Sequence, residues 1–92
     1  MVTAIILMNV ERGRVNSVAE ALADRPEVSE VYSVTGNYDL VAIVRVKTND
    51  DFADLVNRHM VDIDGISHTH TMLAFRAFSR HDLEAMFTLG QA

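Results

Sequence analysis

Two segments of this chain are apolar at both odd and even positions, which is unusual for strands that face water. Aliphatic side chains of both parities occupy Val2 to Val10 and Leu40 to Val46, and β-branched residues predict strands there. A strand points alternate side chains to opposite faces of its sheet. Each aliphatic side chain that stays in water loses about 1.5–3 kcal/mol of the stabilisation that burial would give. Both faces of the sheet are therefore expected to be covered.

Periodicity and turn residues divide the chain into six elements. The first helix carries its apolar stripe on Val15, Val18, Ala19 and Leu22, and Pro26 ends it. A second helix begins after the capping residues Thr48 to Asp51 and ends near Gly65. The predicted strands are 2–10, 28–35, 38–47 and 66–79, and the predicted helices are 14–24 and 52–63.

The order β-α-β-β-α-β predicts an α+β, ferredoxin-like fold with a four-stranded antiparallel sheet. Both helices then lie on one face of the sheet, which leaves the other face open. Because that open face is apolar, we expect a second copy to cover it, in a two-fold dimer that forms an α/β barrel.

Composition limits the classes of function. At 92 residues the chain is expected to be one domain (1–92), with a core over 1–79 and a helical tail over 80–92 whose apolar face docks elsewhere. The net charge of −5 and the scattered arginines argue against direct nucleic-acid binding. No cysteine is present, and no signal peptide or membrane span is apparent, so we expect a cytoplasmic protein without a cofactor.

The segment Thr35 to Asp39 carries the strongest functional signal. Gly36-Asn37 predicts a two-residue type II′ hairpin loop with a positive φ at Gly36. Aspartate is depleted in strands, yet Asp39 stands where the next strand begins. A carboxylate beside loop N–H groups offers both halves of a clamp for an amino acid, although a plain hairpin with a solvated aspartate fits the same pattern.

The chain resembles the ligand-binding module, or RAM domain, of the Lrp/AsnC family of transcriptional regulators. The resemblance covers nearly the whole chain and is most specific at Val31 to Leu40, at Gly65-Ile66 and at Thr69 to Met72. It implies a homodimer that assembles further, to an octamer or decamer, with a small effector, commonly an amino acid, bound between dimers. The implied ligand-binding residues are Gly36, Asn37, Tyr38, Asp39, Thr69, Thr71, Met72, Leu73 and Ala74.

One departure from the family pattern concerns DNA. Complete regulators carry a helix-turn-helix ahead of this module, whereas here the first strand follows Met1 directly. The chain is therefore expected to be a stand-alone module that acts on transcription through a full-length Lrp/AsnC-type partner. A module that has lost its effector and only assembles is a further possibility.

Other classes share the same element order. An ACT-like regulatory domain also binds amino acids between subunits, and small dimeric α/β-barrel oxygenases and isomerases use the same fold. The polar strand residues Asn9, Arg45, His68 and His70 form no recognisable catalytic set, so we do not expect an enzyme. His68 and His70 share one side of the last strand, but no third ligand is placed by spacing, and we predict no metal site.

Overall fold

The computed structural model describes residues 1–78, and the predicted tail helix over 81–88 lies outside them. The strands are β1 (Val2–Val10), β2 (Val28–Ser33), β3 (Leu40–Val46) and β4 (Ile66–Leu73). The helices are α1 (Val15–Ala23) and α2 (Asn49–Asp54). A π-helical turn (Leu55–His59) and a 3₁₀ turn (Met60–Asp62) continue α2.

The four strands form one antiparallel sheet in the order β2-β3-β1-β4, which confirms the predicted ferredoxin-like arrangement. The register of the two central strands pairs Val2 with Val46 at one end and Met8 with Leu40 at the other. The two ends of the pairing are about 20 Å apart at 3.4 Å per residue.

The core lies between the helices and one face of the sheet. The even-numbered residues of β1 and β3 point into it and meet Val18 and Leu22 of α1, and Leu55 and Met60 beyond α2. The fully buried strand residues are Ala4, Ile6, Met8, Leu40, Ala42 and Val44. This packing explains why the even-numbered residues of the two central strands are apolar.

The odd-numbered residues of β1 and β3 face away from the helices. Ile5 and Leu7 of β1, and Val41 and Ile43 of β3, are only partly buried, because the described residues place no layer over them. We call this surface the open face. The prediction that the sheet is apolar on both sides is thus confirmed.

Three predicted boundaries need correction. β4 ends at Leu73 and not at Ser79. The Ala74 amide donates the last bond, to the Thr3 carbonyl, close to the start of β1, which is the neighbour of β4 among residues 1–78. The hairpin loop is wider than two residues, since the last ladder pair is Ser33 with Leu40. The second helix is not uniformly α-helical, because it passes through the π-helical and 3₁₀ turns.

The other predicted helix ends are confirmed to within one residue, except that α2 begins at Asn49, directly after its capping residue Thr48, and not at 52. The Thr48 hydroxyl accepts a hydrogen bond from the Asp51 amide at 3.1 Å, which caps α2. Gly65 adopts a positive φ of 105° after the 3₁₀ turn and leads the chain into β4. No helix within residues 1–78 is long and apolar enough to cross a membrane.

Candidate functional site

The predicted hairpin site lies between the end of β2 and the start of β3, beside the end of β1. The Val34 amide donates to the Asp39 carbonyl at 3.1 Å and closes a loop of four residues, Thr35 to Tyr38. The Asp39 amide donates to the Met8 carbonyl at 2.8 Å, which ties the loop to β1. Gly36 has a φ of 103°, as predicted, and a Cβ there would meet no atom within 4 Å.

Asp39 has a structural role that its sequence position does not reveal. Its Oδ2 accepts a hydrogen bond of 2.8 Å from the Val10 amide, beside an irregularity in the pairing of β1 with β4. The carboxylate thereby satisfies a backbone donor at the end of β1. A carboxylate has about four lone-pair positions, so this one donor leaves capacity for a ligand.

Asn9 belongs to this site, and the sequence reasoning did not assign it there. Its side-chain Nδ2 donates to the Asn37 carbonyl at 2.8 Å and holds the tip of the loop against β1. The available signal was a lone amide at the end of an otherwise apolar strand. Asn9 and Asp39 together fix the loop relative to the sheet.

The nine predicted ligand-binding residues do not converge within one subunit. Thr69 pairs with Met8, so it lies at the hairpin end of the sheet, but β1 separates it from the loop. Ala74 reaches Thr3 at the opposite end of β1, about 20 Å away. The structure therefore brings Gly36, Asn37, Tyr38 and Asp39 together and keeps Met72, Leu73 and Ala74 apart from them.

The residues of β4 also divide between two faces. Thr69 and Thr71 pair with Met8 and Ile6 and lie on the helix side of the sheet, whereas Met72 pairs with Ile5 on the open face. Thr69 lines an apolar cavity of about 210 Å³ between β4 and the turns that follow α2. The other lining residues are Val56, Met60, Val61, Ile63 and Ile66.

A cluster of polar and charged side chains lies at the β2 edge of the open face. The Tyr32 hydroxyl donates to the Glu30 carboxylate, and Arg45 Nη1 lies 3.9 Å from the other oxygen of Glu30. The hydrogen bond to the Glu30 carboxylate, followed by its negative charge, raises the pKa of Tyr32, so this phenol stays neutral. The centre of the face remains aliphatic.

His68 and His70 lie on the same side of β4, as their spacing predicts, and that side is the open face. They pair with Asn9 and Leu7 of β1. In the part of the chain that the structure describes, no group of three or more histidine, aspartate or glutamate side chains is arranged to hold a metal ion.

Comparison with known proteins places the chain in a family. The model of the Lrp/AsnC ligand binding domain matches residues 3–83. The chain belongs to this family. It is 40% identical over 76 residues to the HTH-type transcriptional regulator FL11 of Pyrococcus horikoshii, a match that covers 79% of this chain and 48% of FL11. The chain thus spans about half the length of the curated relatives it matches.

Several solved structures share the fold of this chain. The crystal structure of TTHA0845 from Thermus thermophilus is 46% identical, has a TM-score of 0.81, and matches over 87% of this chain and 100% of that one. The regulator NMB0573 of Neisseria meningitidis, solved as a complex with L-Met, has a TM-score of 0.76 over 86% of this chain and 53% of its own. At 15% identity the second likeness concerns the fold alone.

Family membership decides between the alternatives that the sequence left open. The chain is a regulatory ligand-binding domain of the Lrp/AsnC type, and its relatives are transcriptional regulators and not enzymes. The ACT-like and α/β-barrel enzyme interpretations are therefore set aside.

Proposed function

We propose that this chain is a cytoplasmic effector-sensing module that binds an amino acid at subunit interfaces and assembles into oligomers. In this proposal it modulates transcription through a partner regulator of the Lrp/AsnC type. The observation that carries the proposal is the hairpin site, where a carboxylate and loop amides lie at the rim of an apolar sheet face that residues 1–78 leave uncovered.

The open face supports self-association as the first step. Ile5, Leu7, Val41 and Ile43 form a contiguous aliphatic surface across the two central strands, and Met72 extends it onto β4. A second copy related by a two-fold axis presents the same surface and excludes water from both faces at once. Further assembly of such dimers, to an octamer or decamer, would then bring hairpin sites together.

The separation of the predicted ligand-binding residues supports a site that is completed between subunits. The hairpin adjoins Met8, whereas Met72 and Ala74 lie beside Ile5 and Thr3, about 10 and 17 Å farther along β1. Contact of one small molecule with both the hairpin and Ala74 would therefore need a second subunit. An amino acid needs an anion for its ammonium group and donors for its carboxylate. Asp39 supplies the first, and the backbone amides of the loop supply the second.

A relative supports the chemical class of the effector. The NMB0573 regulator was crystallised with L-Met, and the present chain shares its fold. Extending amino-acid binding to this chain is a proposal that rests on the acidic and amide groups of the hairpin.

The test is a thermal-shift screen of the twenty amino acids, followed by calorimetric titration of the hits. A ligand present at a hundred times its Kd stabilises the folded state by about 2.7 kcal/mol, which raises the melting temperature measurably. In Asp39→Asn the amide oxygen can still accept the bond from Val10, while the negative charge is lost. We expect this variant to weaken binding at least about tenfold, since a bond to a charged group contributes about 1.5–3 kcal/mol.

The matched control is Asp24→Asn, which removes an exposed carboxylate at the end of α1, away from the hairpin. It should leave the affinity unchanged. The proposed amino-acid site would be wrong if no amino acid shifted the melting temperature, or if Asp39→Asn bound every hit as tightly as the parent chain.

The transcriptional part of the proposal needs its own experiment. A full-length Lrp/AsnC regulator from the same source would be titrated on its operator DNA with and without this chain. We expect the chain alone to leave DNA mobility unchanged and the mixture to shift the regulator's binding curve. If this chain does not alter the regulator's binding curve, the proposed action through a partner regulator is wrong.

A further inference from the structure

Two histidines lie at the β4 edge of the open face. His70 pairs with Leu7, one of the aliphatic residues at the centre of that face, and His68 pairs with Asn9. Both histidines are exposed in a single subunit. No side-chain hydrogen bond among residues 1–78 involves either imidazole. Each imidazole can therefore take up a proton from water while the open face is uncovered.

The other titratable or charged side chains on the four strands lie at the opposite edge of this face. They are Glu30 and Tyr32 on β2 and Arg45 on β3, and β1 carries none. The Glu30 carboxylate already accepts from the Tyr32 hydroxyl and lies 3.9 Å from Arg45, so its charge is offset. The open face thus holds no spare anion for an imidazolium at the β4 edge.

His68 and His70 differ in their surroundings. His68 lies level with Asn9 at the hairpin end of the sheet, and the Asp39 carboxylate lies across β1 from it. A nearby carboxylate favours the charged form of an imidazole. His70 is level with Leu7 and with Val41 and Tyr32 beyond it, so no carboxylate lies at its height in the sheet.

Covering the open face raises the cost of a charge on His70. In the proposed dimer, a second sheet of the same width brings either its β2 edge or its β4 edge over His70. The first edge carries Glu30 of the partner subunit, whose charge is already offset, and the second carries histidines. An imidazolium at this place loses water and gains no free anion, whereas a neutral imidazole loses much less.

We propose that association through the open face is regulated by pH and that His70 is the group responsible, a proposal that rests on the two-fold dimer and adds its regulation. An ordinary imidazole has a pKa of about 6.5, so such a group is mostly neutral at pH 7.5 and mostly charged at pH 5.5. The lone subunit binds the proton more readily than the dimer. The dimer is therefore stable above about pH 6.5 and weakens as the pH falls below it.

The experiment is sedimentation equilibrium of the full chain between pH 7.5 and pH 5.5 at constant ionic strength, a range in which ordinary carboxylates stay ionised. We expect the dissociation constant of the dimer to rise at least about tenfold across this range, because both copies of His70 must lose a proton before they are covered. His70→Gln keeps a polar side chain that does not titrate, so its dissociation constant should change by no more than about twofold. Circular dichroism at each pH checks that the subunit stays folded.

His59→Gln is the matched control, because His59 lies in the turn that follows α2, on the helix side of the sheet. This variant and His68→Gln should both keep the pH response of the parent chain. A response that survives in His70→Gln, that is lost in either other variant, or that is absent from the parent would overturn the role of His70 and leave the dimer intact. A chain that is monomeric at pH 7.5 would overturn the dimer and its regulation together.

Discussion

Ile5 and Ile6 are neighbours in β1 with the same side chain on opposite faces of the sheet. Ile6 is 1% exposed and packs in the core between the sheet and the helices. Ile5 is partly exposed on the open face, where it pairs with Ile43 and Met72. Truncating each to alanine therefore separates folding of the subunit from association of subunits.

The loss of stability expected for each alanine variant depends on what covers the isoleucine side chain. Ile→Ala removes three carbon groups, worth about 2.4 kcal/mol at about 0.8 each when fully buried. Ile6→Ala also leaves a cavity, so its cost should be about 2–5 kcal/mol per subunit at any protein concentration. Ile5→Ala should cost about 1 kcal/mol or less in a lone subunit, because part of its area is already in water.

In a two-fold dimer Ile5 occurs twice in the interface. Its truncation should then weaken the dimer by about 2–4 kcal/mol, or roughly thirtyfold or more in the dissociation constant. Urea unfolding at low and high protein concentration would measure separately the stability of the lone subunit and the stability gained by dimer formation. Sedimentation would follow the mass of the assembly in parallel.

The contrast between the two variants is what tests the reasoning. Ile5→Ala with unchanged mass and unchanged concentration dependence would show that the open face is not the interface. Equal destabilisation of both variants at every concentration would mean that something other than a second copy covers Ile5. A negligible cost for Ile6→Ala would contradict the assignment of the core itself.

Three further predictions follow from single contacts. Asp39→Ala should lose about 1–3 kcal/mol in urea unfolding because the Val10 amide loses its acceptor, whereas Asp39→Asn should remain within about 1 kcal/mol of the parent. The pKa of Glu27 is lower in the folded state than its ordinary 4.5, so the backbone hydrogen bond and the Arg25 ion pair that favour its anion contribute stability above pH 4.5 that is lost as the pH falls through the folded-state pKa. Glu27→Gln should flatten that part of the acid-unfolding curve, and an unaltered curve would exclude the ion pair as its cause. Gly65→Ala should cost more than about 1 kcal/mol by thermal unfolding, since the residue has a φ of 105° and its Cβ would lie 3.1 Å from two side-chain atoms of the α1 region.

The order and type of the elements could be predicted because periodicity reports which faces are covered. Alternation along β1 and β3 and the stripe of α1 each follow from burial of one face against a neighbour. The same reasoning identified the open face, because both helices of the β-α-β-β-α-β core lie on one side of a sheet that is apolar on both sides.

The ends of elements depend on partners that are distant in sequence. The residues after Leu73 have strand-like composition, yet β4 ends there, opposite Ala4 and within two residues of the start of β1. Composition alone cannot locate that limit, since it is set by the register of another strand. The hairpin loop was misjudged for a related reason, because Asp39 is tied to β1 by its own amide.

Asp39, an aspartate at the start of a strand, shows how much of a residue's role its sequence position can reveal. The sequence shows a carboxylate where strands seldom carry one, and that observation fits a ligand contact and a backbone contact equally well. The structure shows the backbone contact, with Val10, and this contact alone is enough to account for an acceptor at the position. It is not enough to account for a charge, because an asparagine oxygen would accept the same bond. The negative charge is therefore the part of Asp39 that awaits a function. Comparing Asp39→Asn with Asp39→Ala isolates it, since the first variant removes only the charge and the second removes the acceptor as well.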